Sequence, residues 1–164
     1  MMYKSILVPL DGSELAECSL AHVQAIAQGC QVPAVTLLTV IEPAQDFIPE
    51  AGSQSQMEAM FREQEQRQAQ AIDNANKYLT KASGTLSKEN VDAKTDVVQA
   101  PQNKGVADVI LEYAKNSGAD LIIMSTHGRS GVSRLAMGSI ADKVIRKSGV
   151  PVLVISSPGC RLSE

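Results

Sequence analysis

Glycine, hydroxyl and small residues crowd one stretch of this chain. Ser125, Thr126, His127, Gly128, Arg129, Ser130 and Gly131 follow an apolar run, and Gly138, Ser139, Ile140 and Ala141 open an amphipathic one. The chemistry such residues can do is anion binding. Gly128 and Gly131 allow positive φ and a close approach of backbone to ligand, so that consecutive N–H groups can point at one anion. Gly138 and Ser139 are expected to do the same at the start of a helix, where unpaired N–H groups and the positive dipole end favour phosphate. The hydroxyls of Ser125, Thr126, Ser130 and Ser139 add donors, and Arg129 can reach phosphate oxygens. The spacing is neither the Walker pattern GxxxxGK[ST] nor GxGxxG. The same stretch would also serve as a polar connection whose glycines only make turns.

Asp11, after the first apolar run, is a candidate acceptor for a ribose or base and a contact for magnesium carried by phosphates; its alternative is helix capping together with Ser13. His127 invites a general acid or base role, yet no carboxylate or nucleophile can be set beside it, so shaping of backbone or ligand is expected and no catalytic or metal-ligating residue is assigned. Met57, Met60 and Phe61 read as packing or dimer contacts. Residues 42–56, with Pro43, Pro49 and Gly52, read either as a mobile flap or as a surface loop.

Positioning these residues falls to an alternation of strand-length apolar runs with helical stretches. The runs are residues 5–10, 34–41, 91–98, 120–124 and 150–155. Four are nearly continuous in apolar residues, as strands covered on both faces should be. In the third, Val91, Ala93, Thr95 and Val97 alternate with Asp92, Lys94 and Asp96, which predicts an edge strand. Helices are predicted from Ser13 to a stop at Gly29, over residues 56–82, from Asn103 to Gly118, and from Ser139 to Gly149. The pattern predicts an α/β fold: an open five-stranded parallel sheet of order 3-2-1-4-5, with helices on both faces and a crevice between strands one and four.

These motifs resemble the universal stress protein family. Its signature of a Gly, two residues, a Gly, nine residues, then Gly and Ser or Thr is matched by Gly128, Gly138 and Ser139. The resemblance extends to the opening Ile6 to Ser13, to Leu37 to Ile41, and to the closing Val150 to Ile155. It implies a Rossmann-like fold of the adenine nucleotide alpha hydrolase type that takes ATP or AMP, with or without Mg2+. Pro9, Asp11 and Val40 would surround base and ribose; Ser125 to Gly131 and Gly138 to Ala141 would hold phosphates. It also implies a homodimer through residues 150–155. Ser125 stands where the motif has its first Gly. A required positive φ there would weaken binding, whereas extended backbone would add a hydroxyl donor.

Composition narrows the classes. One domain over residues 1–157 with a tail at 158–164 is expected from 164 residues without a linker. The core must be aliphatic, because aromatics are 3% of the chain. A net charge of −3 argues against nucleic acid as a partner. The apolar run before Pro9 is far too short for a signal or a membrane span, so a cytoplasmic location is expected. Cys18, Cys30 and Cys160 form no CxxC pair and are expected to be free thiols. The expected function is a stress-response binding module with at most slow ATP hydrolysis; a nucleotide-free interaction module and an ATP-consuming hydrolase or transferase are the alternatives.

Overall fold

The computed structural model describes residues 2–43, 54–126 and 137–156. Five parallel strands, β1 (Ser5–Pro9), β2 (Ala34–Ile41), β3 (Ala93–Gln99), β4 (Leu121–Ser125) and β5 (Val152–Ile155), lie in the order β3-β2-β1-β4-β5. The helices are α1 (Glu14–Glu17), α2 (Ser19–Cys30), α3 (Gln54–Ser87), α4 (Val106–Ser117) and α5 (Ser139–Lys147). The sheet order is the predicted one.

Period-two alternation divides the apolar side chains between two faces. On one face Ile6, Val8, Val35, Leu37, Leu121 and Ile123 pack against Leu20, Val23 and Ala27 of α2 and Leu79, Ala82 and Leu86 of α3. On the other, Leu7, Leu38, Ile122 and Met124 meet Ala107, Ile110 and Ala114 of α4 and Ala141 and Val144 of α5. Both faces are covered, which is why β1, β2 and β4 read as continuous apolar runs. β3 is an edge strand whose Ala93 and Val97 pack inward and whose Asp96 is exposed. Thr95, predicted inward, is exposed, and Val98 packs on the opposite face.

Several ends differ from the sequence expectation. The helix predicted to stop at Gly29 runs to Cys30, and Gln31 takes the left-handed cap (φ 53°, ψ 47°). The predicted end of α3 at Ala82 is overrun to Ser87, because buried Leu86 anchors the last turns and the packing outweighs the helix cost of Gly84. β5 starts at Val152 rather than Val150: Pro151 has no N–H to give, though its carbonyl accepts from Ile122 N (3.0 Å). Gly118 closes α4 with φ 69°, as predicted. Cys18, expected free, is disulfide-bonded, while Cys30 is free. Pairing depends on proximity in the fold, which the wide spacing of three cysteines does not report.

Candidate functional site

β1 pairs with β2 on one side and with β4 on the other, with Ile6 beside Leu121 and Leu7 beside Ile122. The chain order reverses here, and the helices that follow β1 and β4, α2 and α5, pack on opposite faces, the arrangement that in open α/β sheets leaves a crevice at the strands' C-terminal ends. Pro9 ends β1 opposite Leu38. Leu10 keeps the zipper closed one residue further, donating its N–H to Leu38 O (2.8 Å), while Thr39 Oγ1 donates to Leu10 O (2.9 Å) in a buried setting. Asp11 is thus the first residue released toward the crevice.

The Asp11 carboxylate organises its own turn. Its Oδ1 accepts from Ser13 N (3.0 Å) and Ser13 Oγ (2.7 Å), and Ser13 Oγ accepts in turn from Ala16 N (3.1 Å). Gly12 between them has φ 84°, a conformation that favours glycine. The capping alternative for Asp11 and Ser13 is therefore present in the structure. Sequence reasoning placed Tyr78 only in the buried stripe of α3, yet its ring lies by this turn. Its hydroxyl is buried without a hydrogen-bond partner. Burial, then the negative charges of Glu17 and Asp11, push its phenol up to about 12, while the Gly12 backbone pulls the other way.

Ser125 is the last residue of β4 and pairs with Ile155 in extended backbone. Among the described residues the non-glycine positions with positive φ are Gln31 and Asn90, so Ser125 occupies its place without backbone strain. Thr126 donates its N–H to Ile155 O (2.9 Å) and accepts from Gly138 N (2.8 Å). That bond corrects one expectation. Gly138 has φ −62° and ψ 148°, and its N–H is already used, so it neither exploits positive φ nor offers a donor to an anion. What it does is start α5: its carbonyl accepts from Asp142 N (2.9 Å), and among the described residues no side chain caps the helix. The N–H groups of Ser139, Ile140 and Ala141 form the positive end of the helix dipole.

Acidic groups near that end are compensated. Asp142 receives two bonds from Arg146 Nε (2.8 and 2.9 Å). Lys143 Nζ meets Asp108 Oδ2 at 2.6 Å, tying α5 to the first turn of α4 and holding the Asp108 carboxyl below its ordinary range. Val40 is half-buried near the end of β2, beside Val98, on the α4 and α5 face. The structure thus gathers Pro9, Asp11, Val40, Ser125, Thr126, Ser139, Ile140 and Ala141 at one edge of the sheet. His127, Gly128, Arg129, Ser130 and Gly131 lie outside the described residues. Among the described residues no cluster of His, Cys, Asp or Glu is arranged to hold a metal ion.

A five-stranded Rossmann-like sheet with an uncapped helix start at its order-reversal point defines the structural class. The model of the Usp, or universal stress protein, family matches residues 2–156, and this chain belongs to that family. Universal stress protein MJ0577 of Methanocaldococcus jannaschii is 31% identical over 94% of this chain and 96% of its own length. The solved MJ0577 structure covers 94% of this chain and 96% of its own, at 28% identity and a TM-score of 0.74. Two more distant neighbours share the fold. A universal stress protein in complex with cAMP is 18% identical, with a TM-score of 0.65 over 94% of this chain and 97% of its own. The universal stress protein from Archaeoglobus fulgidus in complex with dAMP is 21% identical, with a TM-score of 0.60 over 94% and 98%. No helix among the described residues is long and apolar enough to cross a membrane.

Proposed function

We propose that this protein binds an adenine nucleotide, ATP or AMP, in the crevice between β1 and β4, and that occupancy sets its shape or partners as a stress-response binding module. The observation that carries this reading is the uncapped start of α5, held beside Thr126 at the sheet's reversal point. N–H groups of a helix's first turn that have no partner among the described residues suit a phosphate. Pro9, Asp11 and Val40 would flank base and ribose; Ser125, Thr126, the segment from His127 to Gly131 and the Gly138–Ala141 turn would take the phosphates, Gly138 through its fold rather than its N–H. The cAMP and dAMP complexes of the two neighbours support an adenine ligand.

In this reading residues 1–157 act as one domain in the cytoplasm, and Mg2+ enters only with the phosphates, near Asp11. Any hydrolysis is slow in this reading, because catalysis would rest on positioning alone. The short outer strand β5 is the surface through which two copies would pair. A thermal-shift titration with ATP, ADP and AMP tests the ligand, since a ligand of the native state at about 100 times its Kd adds about 2.7 kcal/mol of stability. An unchanged midpoint at millimolar nucleotide rejects the reading.

A further inference from the structure

α2 carries two of the chain's three cysteines, Cys18 as its N-cap and Cys30 as its last residue. Twelve helical steps hold them about 18 Å apart, whereas a disulfide needs Cα atoms within about 7 Å. Cys18 is nevertheless disulfide-bonded, and Cys30 is a free thiol. The one other cysteine of the chain is Cys160. Its sequence position is compatible with reaching Cys18. β5 ends at Ile155, which shares a core face with Leu20 and Val23 of α2, and α1, directly before Cys18, packs against β4, the neighbour of β5. One strand spacing of about 5 Å and one packed layer of about 10 Å separate the two places. Five residues of chain extend to about 17 Å.

The surroundings of Cys18 connect it to the Asp11 turn. Ser13 bonds to the Asp11 carboxylate, Glu17 N donates to Ser13 O (3.2 Å), and the buried Ser19 Oγ donates to Ala16 O (2.6 Å). Cys18 stands between those last two bonded residues. It is half-buried, so a small thiol can approach it. As the N-cap of a twelve-residue helix it faces the positive end of the helix dipole, which favours a thiolate leaving from this sulfur. A disulfide that solvent can reach is of the labile, regulatory kind, and in a reducing compartment such a bond is made and broken in use.

We propose that Cys18 and Cys160 form a reversible redox clasp, which when closed fastens the end of the chain to the start of α2 and braces the Asp11 turn. Its reductant is a low-molecular-weight thiol of the glutathione class. One thiolate attacks Cys160 Sγ, the S–S bond breaks, and Cys18 leaves as a thiolate that takes up a proton. A second thiol then displaces Cys160 from the mixed disulfide. In sum two reductant thiols give two electrons and two protons, become one disulfide, and leave both cysteines as thiols.

The full chain, purified without reductant and digested with trypsin, should yield one linked species joining residues 5–62 to residues 148–161. Cys30→Ser should keep that species, and Cys18→Ser should lose it. After reduction, a buffer of oxidised glutathione should restore it. Backbone amide exchange at Ser13, Ala16 and Glu17 should be about tenfold faster in the reduced chain than in the oxidised one. Cys160→Ser should exchange at the fast rate in both buffers. A linked species that survives Cys18→Ser overturns the assignment, as does its absence from the wild type or a reductant-sensitive band of twice the chain's mass. Exchange at the three amides that ignores the thiol state overturns the clasp. None of these readouts uses a nucleotide, so their failure is separate from that of the proposed function.

Discussion

Replacing Ser125 by Gly restores the residue that the family motif carries, and the structure predicts that this change harms the protein. Ser125 closes β4 in extended backbone opposite Ile155, and its neighbour Thr126 bonds to the Ile155 carbonyl at 2.9 Å. Glycine gains nothing from positive φ at a position that does not use it. It does gain freedom in the unfolded chain, which costs a strand position about 0.5–1 kcal/mol. In a chain of this length about 1 kcal/mol lowers the thermal midpoint by about 3 °C. Removing the hydroxyl also removes one donor from the crevice edge. One hydrogen bond is worth about 1 kcal/mol net, so ATP affinity should fall about fivefold. Differential scanning calorimetry and isothermal titration of wild type and Ser125→Gly measure both effects. A variant that melts higher, or that binds ATP tenfold more tightly, would show that the Cβ at 125 obstructs backbone or ligand and would refute the reasoning.

Alkaline pH should destabilise the fold through two phenols. Burial first, and then negative neighbours, raise Tyr78 and Tyr113 to about 12, the latter through its bond to Asp96 Oδ2 (2.9 Å). The unfolded phenols ionise near roughly 10, so this stability is present below pH 10 and lost as the pH rises toward 12. Urea midpoints at pH 8 and pH 11 should therefore diverge less in Tyr78→Phe/Tyr113→Phe than in wild type, and equal divergence would count against the assignment. Gly118→Ala meets no atom within 4 Å but must hold φ 69°, so a loss of about 1 kcal/mol from backbone strain alone is expected in urea unfolding. A neutral result would mean that the α4 cap relaxes.

The sheet was legible because each strand in it has a compositional reason. β1, β2 and β4 lie between two helical layers and are mostly apolar, while Lys94 and Asp96 mark β3 as an edge. Element ends were less legible, since they depend on contacts distant in sequence. Leu86 carries α3 past Gly84 by packing under the sheet, and Gln31 takes the left-handed cap because α2 runs one residue past Gly29, to Cys30. At the site, residue types were readable and geometry was not. Gly138 was read as a donor and as a place for positive φ, yet its N–H is committed to Thr126. The unmet hydroxyl of Tyr78 has no sequence signature, since the residue is ordinary on an amphipathic helix.

The bond from Gly138 N to Thr126 O also fixes the two ends of the segment between them to a span of 2.8 Å between the bonded atoms. Chain entropy for that closure is settled by the sheet and α5, whatever residues 127–136 do. Doubling the length of such a segment adds only about 0.6 kcal/mol. Insertions and deletions there should therefore cost the fold little, so the fixed glycine spacing of this segment would answer to ligand binding rather than to folding.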